Sequence, residues 1–291
     1  MAPPSAGVCT HSTRVERRRR KRSPSGNVRA RRPRVVHSWA AWQGERDGGT
    51  VAETATDRLR LVVGDEGLER LARARVAVIG LGGVGSSCAE ALARGGVGRL
   101  VLLDRDVVAP SNINRQALAF TSTLGRPKAE VMRAMALDIN PGADVTAVHA
   151  FLDKDALGEQ MGALGELDYV VDAIDTVAQK LRLAAWCQER GVPELSAMGG
   201  ANKLDPCRLR FARIEETVNC PLARVMRKEC RRRGIRGLRV LFSDEEPVRM
   251  EAISDERWMR EGPLLGTMSY LPPIMGQMLA SRVIRDLLGW E

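Results

Sequence analysis

An α/β fold with a mostly parallel sheet and helices on both faces is the architecture this 291-residue chain predicts. Three observations carry it. Short apolar runs rich in β-branched residues alternate with segments of helical periodicity over residues 57–200, the pattern of βαβ units. A GxGGxG loop (Gly80, Gly82, Gly83 and Gly85) lies between the first such run and the helix after it. Asp104 closes the second run, 24 residues after Gly80. Strand, glycine turn, helix, strand and acid in this order make the fold Rossmann-like.

The elements run in chain order. "GDEGLERLARA" reads as an opening helix, and "RVAVIG" as a buried parallel strand. The glycine loop begins the next helix, which glycine also ends. "RLVLLD" is the second strand. "RPKAEVMRAMALDINP" is a helix stopped at Asn140-Pro141. "DVTAVHA" and "DYVVDAID" are strands, "QKLRLAAWCQERG" a helix and "VPELSAM" a strand. After Gly200 the alternation breaks. "CRLRFARI" and "LRVLFS" read as strands on either side of the basic amphipathic helix "CPLARVMRKECRRRG", in which Leu222, Val225 and Met226 are expected to face the core. A last helix comes after Pro272-Pro273. It is too short and too charged to span a bilayer, and reads as a core or dimer-interface helix. The chain thus divides into a basic tail over 1–56, a nucleotide-binding domain over 57–200, and a smaller C-terminal α+β extension over 201–291.

Charge is uneven along the chain. The net charge is +9, and residues 1–57 alone hold 12 basic and 5 acidic residues. The tail carries charge runs with Pro, Ser and Gly and little that could form a core, so it reads as disordered. It lacks the apolar stretch of a secretory signal. An organellar transit peptide or an RNA-touching arm are alternatives to a plain solvated tail. The rest of the chain is near neutral, so its isoelectric point alone does not mark a nucleic-acid binder. None of the six cysteines forms a CxxC pair and there are three histidines. Reduced thiols and a cytoplasmic location are expected, and a structural zinc site is not.

The glycine loop suits a phosphate: glycines let the backbone approach closely, and a helix N-terminus offers free N–H groups. Asp104 can accept ribose hydroxyls. A dehydrogenase could share both features. The residues beyond the acid fit a dehydrogenase less well. They include Asn112, Asn114, Arg115 and Gln116, and then Lys128 at the start of a helix. Two cations at the phosphate end are useful when a triphosphate is attacked and pyrophosphate leaves. Hydride transfer does no chemistry at phosphate. Asp172 and Asp175 sit at the end of a later strand, where one carboxylate suits a Mg²⁺ ion bridging phosphate oxygens. Each residue singly could be part of a solvated loop; the ordered set points to nucleotidyl transfer.

The combination of GxGGxG, "LLDRDVVAPSNINRQ", "GRPKAEVM" and "VVDAIDT" resembles the adenylating domain of the ubiquitin-activating superfamily, over residues 59–198. "SAMGGANKLDP", the basic-helix segment and the closing "LGTMSYLPPIMGQMLASRVIRDLL" extend the likeness to residues 59–289. They resemble the tRNA threonylcarbamoyladenosine dehydratase branch. The resemblance implies a homodimeric enzyme using ATP and Mg²⁺. Such an enzyme adenylates the threonyl carboxylate of N6-threonylcarbamoyladenosine beside the tRNA anticodon. The carbamoyl group then closes the ring, releasing AMP and pyrophosphate. By the same resemblance Gly80, Gly82, Gly83 and Gly85 form the phosphate loop and Asp104 holds ribose. Asn114, Arg115 and Lys128 grip phosphates with Gln116 beside them, Asp175 places the metal, and Asp106 supports the set.

The chain also departs from the pattern. Val240 stands where some members carry a cysteine before "FS"; Cys220 is a substitute nucleophile or a small core residue. Arg58 or Arg60 could supply the arginine that related enzymes send into the partner's site. The alternative function is activation of the C-terminal Gly-Gly of a ubiquitin-like sulfur carrier. The eight cations within residues 224–239 face one acid, Glu229, and are expected either to track the tRNA backbone or to form a solvated helix face.

Overall fold

The computed structural model describes residues 53–153, 155–249 and 265–290. The tail expected to be disordered lies outside the described residues up to residue 52. Helix α1 (Asp57–Arg73) begins seven residues before the expected Gly64 and kinks there, where Gly64 takes φ 71°.

Seven strands form one sheet: β1 (Arg75–Ile79), β2 (Arg99–Leu103), β3 (Asp144–Val148), β4 (Tyr169–Asp172), β5 (Glu194–Ala197), β6 (Leu209–Arg213) and β7 (Arg239–Ser243). Their order is β3-β2-β1-β4-β5-β7-β6. All neighbours are parallel except β6 and β7. The strands after residue 200 therefore continue the same sheet. Strand β1 pairs with both β2 and β4, so the strand order reverses beside it. Such a switch point opens a crevice at the carboxyl ends of the strands.

Why the sheet is covered on both faces is visible in β1. Val76 and Val78 join one apolar cluster, while Ala77 and Ile79 join another. Alternate side chains point to opposite faces, and all four are buried. Helices α2 (Gly83–Arg94), α3 (Lys128–Ile139) and α7 (Leu271–Leu288) cover the first face with α1. Helices α4 (Leu157–Gly162) and α5 (Val177–Arg190) cover the second. Helix α6 (Pro221–Arg233) packs against α5 and β7.

Helix α4 has no counterpart among the elements expected from sequence. It is six residues long, contains Gly158, and anchors through only Leu157 and Met161. So short a period is not legible as a helix. Helix α6 also differs from expectation. Its buried stripe is Ala223, Met226 and Cys230, while Leu222 is half-buried and Val225 is 46% exposed. The stripe follows i, i+3, i+7 spacing, which leaves Val225 on its flank.

Helix α7 spends its apolar face inside the subunit. Leu271, Met275, Leu279 and Val283 are fully buried in the main core, each contributing about 1.5–3 kcal/mol. A Cβ on Gly276 would meet the Val84 carbonyl oxygen at 2.3 Å, so only glycine permits this approach to α2. At the far end Asp286 accepts from the Tyr169 hydroxyl (2.7 Å) and pairs with Arg239 (2.6 Å) and Arg282 (2.8 Å). This joins α7 to the first residues of β4 and β7, at the opposite edge from the crevice. Among the described residues no helix is long and apolar enough to cross a membrane.

Candidate active site

A cavity of about 800 Å³ opens at the carboxyl ends of the strands. Gly80, Gly82, Gly83, Asp104, Asp106, Arg115, Gln116, Lys128 and Asp175 all line it. Gly80 and Asp175, 95 positions apart in sequence, thus share one wall, because β1, β2 and β4 are adjacent.

The glycine loop is built by steric exclusion. Gly80 takes φ 89°, and a Cβ there would lie 2.8 Å from the Ala173 carbonyl oxygen. A Cβ on Gly85 would lie 1.7 Å from the Gly80 carbonyl oxygen. Gly85 does not line the cavity; its task is to let α2 close onto the turn. Around Gly82, by contrast, a Cβ would meet nothing within 4 Å. That open space at the N-terminus of α2 is where a phosphate can approach the backbone.

Asp104 is buried and holds the loop in place. Its Oδ2 accepts the Leu81 N–H at 2.6 Å and its Oδ1 accepts the Asp106 N–H at 2.8 Å. A carboxylate has about four acceptor sites, so two remain for a ligand's hydroxyls. Asp106 faces Lys128, whose Nζ lies 3.0 Å from Oδ2 and whose side chain is 6% exposed. The ammonium keeps two further donors.

Arg115 sits over the loop, its Cγ 3.2 Å from where a Gly83 Cβ would be. One guanidinium nitrogen donates to the Ser111 carbonyl and to Asn114 Oδ1, both at 2.9 Å. Asn114 does not line the cavity. Its amide nitrogen instead donates to the Thr267 carbonyl at 3.1 Å, so it steadies Arg115 and the returning chain at once. Asn112 accepts the Ala109 N–H at 2.9 Å and shapes the turn over Pro110–Asn112.

The two acids after β4 separate cleanly. Asp172 is fully buried; it pairs with Lys180 at 2.9 Å and accepts from the Ser196 hydroxyl at 2.7 Å. Asp175 is exposed, accepts from the neighbouring Thr176 hydroxyl, and faces the cavity. Beside Asp172 lies Glu194, whose proton is held well above the usual carboxylate range by burial and then by the Asp172 charge.

The other half of the cavity rests on residues whose roles are not apparent from sequence. Asn202 has φ 56°. Its Oδ1 accepts the Gly266 N–H at 2.7 Å, and its backbone carbonyl accepts the Val248 N–H at 2.8 Å. Lys203 is buried and donates to the Asn219 carbonyl (3.3 Å) and the Glu245 carbonyl. Burial draws its pKa down. The Glu245 carboxylate accepts the N–H groups of Leu204 and Asp205. The segment "NKLDP" is a signal in the sequence, but the partners lie more than 15 residues away.

Cys220 precedes α6, is 3% exposed, and lines the cavity. Burial raises the pKa of Cys88 and Cys187, and pushes that of Cys230 up to about 11, so these three remain thiols. Val240 is fully buried in β7. Arg58 and Arg60 lie on α1, outside the cavity; Arg60 pairs with Asp65 at 3.2 Å.

The cations of α6 and of the start of β7 divide into two groups. Arg227 donates to Thr217, and Arg232 and Arg233 pair with Glu229. Arg239 is engaged with Asp286. Arg224, Lys228 and Arg231 are exposed, have no side-chain partner among the described residues, and recur at i, i+4, i+7 on one face.

A family model, the ThiF family, matches residues 56–291. The chain belongs to the ThiF family. It is 44% identical to the tRNA threonylcarbamoyladenosine dehydratase of Bacillus subtilis, over 79% of this chain and 93% of that protein. The fold superposes on E. coli tRNA N6-threonylcarbamoyladenosine dehydratase in complex with ATP with a TM-score of 0.70. That match has 30% identity and covers 81% of this chain and 98% of the other. The molybdopterin-synthase adenylyltransferase of E. coli is 38% identical over only 55% of this chain and 68% of its own length. Within the ThiF family, the dehydratase likeness thus extends into the C-terminal third and the adenylyltransferase likeness covers less of the chain.

Proposed function

We propose that the chain is an ATP-dependent tRNA threonylcarbamoyladenosine dehydratase. The observation that carries this is the convergence of Gly82, Asp104, Arg115, Lys128 and Asp175 on one cavity. The cavity continues into a half built from segments after residue 197, including the Gly199–Lys203 stretch on which the sequence resembles the dehydratase branch.

The threonyl carboxylate attacks the α-phosphorus of ATP, and pyrophosphate leaves. Negative charge moves onto phosphate oxygens during this step. Arg115 and Lys128, fixed by Asn114, Ser111 and Asp106, stand ready to stabilise it without reorganising. The carbamoyl group then closes onto the activated carbonyl and AMP departs. Both reacting groups belong to one nucleoside, so the second step is intramolecular and needs no enzyme nucleophile. Cys220 has no required part in this scheme.

A divalent cation fits at Asp175. Among the described residues no group of three or more His, Cys, Asp or Glu is placed to cage a metal. A single exposed carboxylate in a phosphate cavity matches the way Mg²⁺ is held, by one or two carboxylates, water and the substrate's phosphates. When bound, the ion neutralises phosphate charge.

The tRNA lies against the face of Arg224, Lys228 and Arg231, whose cations have no competing partner among the described residues. The enzyme works as a homodimer, as the resemblance implies, with Arg58 or Arg60 the candidates to reach the other subunit.

The test is incubation with ATP, Mg²⁺ and tRNA carrying threonylcarbamoyladenosine, then digestion and mass spectrometry of the nucleoside. Loss of one water with the wild type, and not with Asp175→Ala, is the expected result. No mass change, with AMP formed only when a Gly-Gly-ending carrier protein is added, would move the activity to carrier activation.

A further inference from the structure

Two polar side chains lining the cavity, Gln116 beside the phosphate-end cations and Gln179, each keep a buried amide oxygen without a hydrogen-bond partner, and Gln179 is the one set away from the phosphate end. Gln179 stands in the first turn of α5, is 6% exposed, and lines the cavity. Its Nε2 donates to the Leu152 carbonyl at 3.3 Å. That bond fixes the orientation of the amide, because turning it over would set oxygen against oxygen. The free end is therefore Oε1, a buried acceptor with no hydrogen-bond partner. A buried acceptor without a donor is costly, and such exceptions call for a specific explanation.

Its position says which part of a nucleotide it meets. The phosphates belong at Gly82 and Gly83, on the α2 side. Ribose belongs at Asp104, the end of β2. The base must then extend away from the phosphates, towards the segment after β3. Ala150, Phe151 and Leu152 form the cavity wall there. Gln179 reaches over from α5 to bond this segment. Phe151, with Arg105 stacked 4.9 Å from its ring centroid, supplies a flat surface beside it.

We propose that Gln179 is a specificity-determining residue that reads the purine base, its Oε1 accepting a hydrogen bond from the exocyclic 6-amino group of adenine. This rests on the ATP reading of the cavity. Adenine offers a donor at position 6. Guanine offers an oxygen, which would face Oε1 acceptor to acceptor. Sites built around a buried hydrogen-bonding group discriminate strongly against analogues that cannot complete the bond.

The experiment is calorimetric titration of the full chain with ATP, GTP and purine riboside triphosphate, which carries hydrogen in place of the amine. The wild type should bind ATP roughly tenfold more tightly than purine riboside triphosphate. In Gln179→Leu that preference should vanish, chiefly through weaker ATP binding, with purine riboside triphosphate bound as before. Thermal unfolding of Gln179→Leu and Gln179→Met should show little change in Tm, since removing an unpartnered buried oxygen offsets the lost bond to the Leu152 carbonyl. Equal weakening of ATP and purine riboside triphosphate, or no change in either, would overturn the assignment of Gln179 while leaving the ATP reading intact. No binding of any triphosphate by the wild type would overturn both.

Discussion

The two halves of the cavity are built by different means. The glycine-loop half is made of backbone: Gly80 and Gly85 come within van der Waals reach of neighbouring carbonyls, and one acid, Asp104, ties the turn. The other half is made of side-chain clips between distant segments. Asn202 holds Gly266, Lys203 holds Glu245, and the Tyr270 hydroxyl holds the Leu204 carbonyl. A backbone cradle fails abruptly when a side chain is added. A clipped wall loosens by degrees.

The largest expected effect separates two glycines in one loop. Gly85→Ala should cost at least about 100-fold in AMP formation, because a methyl group would displace the turn by an ångström or more. Gly82→Ala should keep the wild-type Tm, since its Cβ meets only open space, yet weaken ATP binding at the phosphates. Equal Tm and equal ATP affinity for both variants would erase the distinction between packing and lining glycines.

In the clipped half, Asn202→Gly removes the amide and relaxes the positive φ. It should raise the apparent KM for tRNA by up to roughly tenfold, the worth of one hydrogen bond, with little change in the KM for ATP. Asn202→Asp retains the acceptor for Gly266 and should recover most of the loss. A matching rise in the ATP KM would mean that the halves are not separable.

Charge reversal of Arg224, Lys228 and Arg231 together should reduce the slope of log affinity for tRNA against log salt by about 2–3, near 0.7–0.9 for each phosphate no longer neutralised. The same change at Arg227, Arg232 and Arg233 should act mainly on stability, because these are bonded within the protein. An unchanged slope in the first variant would remove α6 from the RNA surface.

The smallest effect concerns the buried acid behind the site. Glu194 has a raised folded-state pKa, so the folded protein holds this proton more tightly than the unfolded chain. Its presence favours folding at low pH, and that benefit is lost as pH rises above the unfolded value towards the folded one. Glu194→Gln should therefore raise Tm at pH 7.5 by roughly 2–4 °C, the equivalent of about 1 kcal/mol in a protein of this size. It should also flatten the fall in stability above the ordinary glutamate pKa. A lower Tm at pH 7.5 would show that Glu194 is ionised and paired in the fold.

What the sequence determined by itself is what local chemistry dictates. Alternating β-branched runs and helices forced a parallel sheet covered on both faces. The glycine spacing and Asp104 located its crevice, and the order of Arg115, Lys128 and Asp175 pointed to phosphate chemistry. Short elements with weak periodicity, such as α4, fell below that threshold. The tertiary structure alone decided how like residues divide their work. It buried Asp172 against Lys180 and left Asp175 facing the cavity, though only three positions separate them. It withdrew Gly85 and Asn114 from the cavity wall into supporting positions. It paired Arg232 and Arg233 with Glu229 and left Arg224, Lys228 and Arg231 without a side-chain partner among the described residues. It also left Gln179 with an unanswered acceptor. Each of these depends on what a neighbour distant in sequence brings to the same point, and no local pattern carries that.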